Sequence, residues 1–257
     1  MDYKEIQPLD DIALFVKSIM LFEGSANTKT VLPFFADGYP GLVYFESDNG
    51  LKVSPHNKDM PILFIYGQTL EPLELVFDAP YRMLVFQFYP FILRSLFAID
   101  PKSINDNCYN LLELNDPTVN QTISALEITR DIEAQVNLIT RYLISVFVQK
   151  QERLDAKIKE ALLIIIDNRG QVSMTDVCDK IDVNKRTFER RFAAETGLLP
   201  KQFAKIIQFQ SSLEQLTEND YDKLTDIVYE NGFSDQSHFI KVFKAYTGKT
   251  PKAFSRI

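Results

Sequence analysis

Two short stretches of the sequence carry side chains suited to reading nucleic acid. Lys185, Arg186, Glu189 and Arg190 fall within six residues of one another, and Gln236, Ser237, His238 and Lys241 within another six. Arginine and lysine pair with guanine edges, glutamine with adenine, glutamate with cytosine and serine with several bases. On a helix, residues three and four apart share a face, so each set predicts one outward chemical surface near a helix start. A helix N-terminus also favours a phosphate.

The elements that must hold these surfaces are written twice in the chain. Thr175-Asp176-Val177 aligns with Thr225-Asp226-Ile227 at an offset of 50. At an offset of 51, Phe188, Phe192, Ala194, Thr196, Gly197, Pro200, Lys201 and Phe203 align with Phe239, Phe243, Ala245, Thr247, Gly248, Pro251, Lys252 and Phe254. Ten identities in so short a span mark a duplicated supersecondary unit. Val177, Cys178 and Ile181 form the apolar face of a short helix, and Asn184 is suited to cap a second helix whose inner face is Phe188, the Arg191 stem and Phe192. Gly197 is placed to end it. The copy has Ile227-Val228, a turn at Asn231-Gly232-Phe233, a Ser234-Asp235 cap and Phe239 with Phe243. Helix, tight turn and capped helix is a helix-turn-helix, predicted over 172–197 and again over 223–248. Between them Phe203, Ile206, Ile207, Gln210, Leu213 and Leu216 recur at helical spacing. They predict one connector over 201–217, roughly 25 Å long at ~1.5 Å per residue. Such a rod can set two reading helices one turn of DNA, about 34 Å, apart.

The rest of the chain differs in character. Residues 1–150 contain 11 Lys and Arg against 19 Asp and Glu, whereas residues 151–257 contain 17 against 16. An acidic first part joined to a nearly neutral second part permits DNA binding only where basic groups converge on one face. Between about Leu32 and Tyr89, short apolar runs alternate with Gly, Pro and Asp turns, which predicts an antiparallel β sandwich or small barrel, cupin-like, within residues 1–116. From Pro117 to 150, Ile123, Leu126, Ile132, Val136, Ile139 and Leu143 predict one or two amphipathic helices that cover the sheet or form a dimer contact. The fold class is therefore α+β.

The C-terminal hundred residues resemble the AraC/XylS class of bacterial transcription regulators. The resemblance is carried by Asn231-Gly232-Phe233-Ser234-Asp235-Gln236-Ser237-His238-Phe239 and by Phe243-Lys244-Ala245-Tyr246-Thr247-Gly248-Lys249-Thr250-Pro251. The first half is similar to the amino-terminal domain of an AraC subgroup in Leu32-Pro33, Asp37 to Tyr44, Met83 to Phe88, Phe91-Ile92-Leu93 and Leu96-Phe97. The resemblance implies a seven-helix DNA-binding domain and an amino-terminal domain for effector binding or dimerisation. It places the base-reading positions at Arg186, Glu189 and Arg190, and at Gln236, Ser237, His238 and Lys241. The expected partners are double-stranded DNA, a small-molecule effector or a second copy of the chain, and RNA polymerase if the protein activates.

Aromatic residues concentrate in the strand region, and Phe34, Tyr39, Tyr44, Phe64, Tyr66, Phe86 and Phe88 are candidates for an effector pocket, with core filling as the simpler role. A strongly anionic effector is disfavoured by the absence of Trp and the scarcity of buried-looking Lys and Arg on the strands. A cupin-like metabolite-binding enzyme is the competing reading, but its metal needs a cluster of ligands, and this region offers His56 in a polar loop. No phosphate loop, nucleophile elbow or His-Glu-x-x-His is present, so neither enzyme activity, metal nor cofactor is expected. Cys178 reads as a small core residue. The longest strongly apolar run, Ala161 to Ile166, is too short to span a membrane. The first residues lack a signal-peptide pattern, and two cysteines make no disulfide framework, so the cytoplasm is the expected compartment.

Overall fold

The computed structural model describes residues 2–25 and 28–255. The N-terminal part holds ten strands: β1 (Asp2–Ile6), β2 (Val16–Gly24), β3 (Thr30–Phe34), β4 (Gly41–Ser47), β5 (Lys52–Ser54), β6 (Lys58–Asp59), β7 (Leu63–Tyr66), β8 (Leu73–Phe77), β9 (Tyr81–Phe88) and β10 (Cys108–Asn110). Helix α1 (Asp10–Ala13) lies between β1 and β2, and α2 (Ile92–Phe97) follows β9. The strands form one sheet in the order β1-β2-β9-β4-β7-β10 and a second in the order β3-β8-β5-β6. All pairings are antiparallel, which allows the short Gly, Pro and Asp connections seen in the sequence. This is the sandwich form of the expected fold, with two sheets rather than a closed barrel.

Strand alternation gives the six-stranded sheet two apolar faces. Leu42, Tyr44, Ile65, Leu84, Phe86 and Phe88 face one core, whereas Val43, Phe45, Phe64, Tyr66, Met83 and Val85 face the other sheet. The first face is covered by α1, α2 and two longer helices, α3 (Pro117–Ile128) and α4 (Ile132–Lys150). Pro117 opens α3 behind Asp116, whose carboxylate accepts the Thr118 N–H at 2.9 Å. Phe147 of α4 stacks on Phe15 with ring centroids 4.7 Å apart.

Among the described residues seven helices follow: α5 (Ala156–Asp167), α6 (Met174–Ile181), α7 (Lys185–Thr196), α8 (Pro200–Glu218), α9 (Leu224–Glu230), α10 (Gln236–Thr247) and α11 (Pro251–Phe254). Helix α8 is the connector, one residue longer at each end than the expected 201–217 and unbroken over 19 residues. Phe203 near its start meets Phe192, with centroids 5.7 Å apart, and Phe209 meets Phe243 at 5.6 Å. Each helix-turn-helix unit thus pins its own phenylalanine pair to a different point of one rod. Among the described residues, no helix is long and apolar enough to cross a membrane.

Phe192 and Phe243 are fully buried. Truncating either to alanine removes a ring from a site with no polar substitute, and Phe192→Ala should cost about 3–5 kcal/mol in denaturant unfolding. A loss under about 1 kcal/mol would place the ring outside a packed core.

Candidate nucleic-acid interface

In the first unit, Ser173 caps α6 by accepting the Thr175 N–H at 3.2 Å. The helix ends at Asp182 in the left-handed region, φ 51°. In the second unit the same place, 50 residues on, is Gly232 at φ 72°. Both turns need a left-handed residue, which glycine adopts freely and aspartate tolerates. After the turn the first unit reaches its cap at Asn184, and the second needs one more residue, Ser234, to reach Asp235. That extra residue is why the repeat changes offset from 50 to 51. Asn184 accepts the Thr187 N–H at 3.0 Å and Asp235 accepts the His238 N–H at 2.8 Å, so each second helix starts with an occupied cap.

Those caps leave the first turns of α7 and α10 turned to solvent. Phe188 and Phe192 point inward on α7, and Phe239 and Phe243 on α10. Arg186 and Arg190 are exposed on the opposite side of α7, as are Ser237 and Lys241 on α10; Lys185 and Gln236 are exposed at the first position of each helix, while Glu189 and His238 are half-buried. Among the described residues, none of Lys185, Arg186, Arg190 or Lys241 forms an ion pair. Their charge remains available to a phosphate or a base. Arg191, one position on, is different: its guanidinium grips Asp155 at 2.8 and 2.5 Å and fastens α7 to the start of α5. His238 is partly committed as well, since Nδ1 lies 3.2 Å from Ser234 Oγ and the ring packs edge-on against Phe233. Its backbone N–H holds the Asp235 carboxyl below the usual carboxylate range. A negative charge therefore sits at the start of α10. Burial pushes the Cys178 thiol up, in keeping with its place in the core.

The N-terminal part holds this pair of units from behind. Asn105 Nδ2 donates to the Gly197 carbonyl at 3.2 Å, and Ser95 Oγ donates to Glu195 at 3.3 Å. Gly38, at φ 83°, presses its backbone on α8, where a Cβ would lie 3.1 Å from Phe203 and 3.2 Å from Ile207. Gln210 of α8 donates from Nε2 to the Ala36 carbonyl, and Phe35 meets Phe254 with centroids 5.7 Å apart. These contacts fall on the C-terminal end of α7, on α8 and on α11.

Between the two sheets lies a cavity of about 590 Å³. Of the candidate effector residues, Phe34, Phe64 and Tyr66 line it. Tyr39, Tyr44, Phe86 and Phe88 do not; they belong to the core on the other face of the six-stranded sheet. The reason is register, because in β9 Phe86 and Phe88 alternate with the cavity-facing Met83 and Val85. Sequence reasoning also missed Asp37, Gln87 and Gln210, which line the cavity beside its apolar wall. Their signal was the Asp37 to Gly41 turn and the Gln87 interrupting an apolar strand. His56, on the edge of that cavity, is exposed.

Two copies of helix, tight turn and capped helix on one connector define a tandem helix-turn-helix domain. Residues 177–257 match the family described as Helix-turn-helix domain, and residues 4–110 match the one described as Domain of unknown function (DUF6597). The helix-turn-helix transcriptional activator RhaS of Citrobacter koseri is 27% identical over 99 residues, spanning 38% of this chain and 35% of that protein. Its counterpart in Enterobacter is 28% identical over 109 residues, spanning 42% and 39%. The match thus covers little more than a third of the length of these relatives. Among solved structures, ToxT from Vibrio cholerae is 13% identical with a TM-score of 0.48, covering 100% of this chain and 98% of that one. The C-terminal domain of AraT, a response regulator from Geobacillus stearothermophilus, is 20% identical with a TM-score of 0.38 over 40% and 87%. The C-terminal part of this chain is thus similar to known helix-turn-helix domains, and the part before it is similar to a different family, DUF6597.

Desolvation pushes the Asp37 carboxyl up to about 6, against the opposing effect of its hydrogen bonds. An unfolded aspartate titrates near 4, so between about pH 4 and 6 the folded chain holds the extra proton. This group's contribution to stability therefore falls as pH rises through that window and is level above it. Asp37→Asn cannot titrate. Between pH 4.5 and 7 the wild type should lose on the order of 1–2 kcal/mol relative to the variant in urea unfolding. A wild-type to variant difference independent of pH contradicts the placement of a poorly solvated carboxyl here.

Proposed function

We propose that the chain is a sequence-specific DNA-binding transcription regulator whose α7 and α10 read two successive major-groove segments. The observation that carries this reading is the pair of duplicated, capped helices on one shared connector, each with exposed Lys, Arg or Gln side chains in its first turns. The base-reading set is Arg186, Glu189 and Arg190 on α7, and Gln236, Ser237, His238 and Lys241 on α10, with Lys185 at the phosphate. The relatives that share the C-terminal part are transcriptional activators by name, which supports a regulatory rather than a catalytic role. Residues 1–116 form the sensing unit in this reading, 117–150 its helical cover and 151–257 the DNA reader. The cavity between the sheets is the place for a small effector, and the cytoplasm is the compartment where the protein meets its DNA.

Selection of random double-stranded DNA by the full chain at about 150 mM salt should enrich two short motifs about ten base pairs apart. Absence of any enriched motif overturns the reading. With a selected site in hand, Arg186→Ala or Arg190→Ala should lose about 1–3 kcal/mol and relax base preference in one motif only. Unchanged affinity and preference in both folded variants would remove α7 from the interface.

Asp235 offers a second check. Asp235→Asn keeps the oxygen that caps α10 and removes the charge at the phosphate path, so affinity should rise several-fold at 50 mM salt and the gain should shrink as salt increases. Equal or weaker binding would place no phosphate near this cap.

A further inference from the structure

The cavity has a distinctive polar patch. Most of its wall is aliphatic or aromatic, including Leu32, Val43, Phe64 and Val85. In that wall Gln87 bonds Asp37, and Tyr66 lies near enough for the Asp37 charge to act on its hydroxyl. Asp37 Oδ1 accepts the Tyr39 N–H at 3.0 Å, and Oδ2 accepts from Gln87 Nε2 at 2.6 Å. Gln87 is itself oriented by Ser18, whose hydroxyl donates to Gln87 Oε1 at 3.1 Å. A carboxylate offers about four acceptor sites, so two bonds leave capacity for another donor. Tyr66 is 9% exposed, and its buried hydroxyl has no hydrogen-bond partner. An orphaned hydroxyl beside an under-used carboxylate in an otherwise apolar space costs free energy until a ligand completes both. The Lys17 ammonium lies 4.0 Å above the centre of the Tyr39 ring and makes no ion pair with Asp37 among the described residues. Cys108 on β10 is the cross-strand partner of Tyr66, and Lys58 Nζ donates to Asn107 Oδ1 at 2.6 Å and to Cys108 Sγ at 3.3 Å.

The geometry points to an effector with an apolar, ring-sized body and one hydrogen-bond-donating head, an amine or a hydroxyl, seated on Asp37 and Tyr66. The inference rests on the effector reading above and deepens it by naming the chemical class. An anionic head at this patch would bring like charge against a buried carboxylate in a poorly solvated space. The same patch is wired to the DNA reader. Gln210 and Leu213 of the connector complete the cavity wall, and Gln210 holds the Ala36 carbonyl next to Asp37. A ligand that draws Asp37 inward therefore acts on the helix that fixes both reading units, with no intermediate element.

Three probes on one skeleton separate the classes: 2-naphthylmethylamine, 2-naphthalenemethanol and 2-naphthoic acid, titrated calorimetrically into the full chain without DNA. The amine and the alcohol should bind, with the acid at least tenfold weaker. Asp37→Asn should weaken the amine at least tenfold and the alcohol much less. Tyr66→Phe, which keeps the ring and removes only the orphaned oxygen, should weaken both several-fold in a protein at least as stable as the wild type. Acid binding as tight as the amine, amine binding unchanged in both variants, or failure of all three probes at millimolar concentration overturns the assignment. Because no DNA is present, none of these outcomes depends on whether α7 and α10 read sequence.

Discussion

The constraint on which the structure depends is that one straight helix, α8, serves as floor for two otherwise separate folding units. Phe203 completes the core of the first and Phe209 that of the second, six residues further along. Six residues of helix rise about 9 Å and turn through about one and two-thirds revolutions, so the two units leave the rod in different directions but in a fixed relation. The caps at Asn184 and Asp235 then decide where each reading helix begins, and hence which side chains are turned outward. Nothing else in the C-terminal part needs to be rigid for the spacing of the two surfaces to be defined.

The same helix is where the N-terminal part takes hold. Gly38 lies against Phe203 and Ile207, and Ala36 is held by Gln210, so a loop leaving the sandwich touches the rod along nearly two turns. The absence of a side chain at Gly38 is a structural requirement on two counts, its positive φ and the space occupied by α8. The charged first turns of α7 and α10 lie away from these contacts. The N-terminal part thus grips the rod and leaves those first turns uncovered.

Much of the C-terminal part was legible in the sequence because its signals are local. The cap at Asn184, the glycine stop at Gly197 and the inward pairs Phe188 with Phe192 and Phe239 with Phe243 each follow from spacing within one or two turns. The duplication supplied the topology. In the sandwich the local signals underdetermine the answer. Both faces of the central strands are apolar, so alternation separates Phe86 and Phe88 from Met83 and Val85 without saying which set meets a cavity and which meets helices. The outer strands β1 and β2 and the short β10 were not read from the pattern, since β1 is almost wholly exposed and β10 has three residues. Asp37 needed the fold itself, because its surroundings come from β9, from its own loop and from a helix more than 170 residues away.

The rigidity of α8 is measured most directly by the affinity of the full chain for duplexes in which the two selected motifs are moved apart. The expected result is a sharp optimum near one helical turn, with affinity falling more than tenfold when five base pairs are inserted, because the second reading helix then faces the opposite side of the duplex. Affinity that stays within a factor of two across all spacings would mean that the two units move independently, and it would contradict the connector as the element that sets the reading frame.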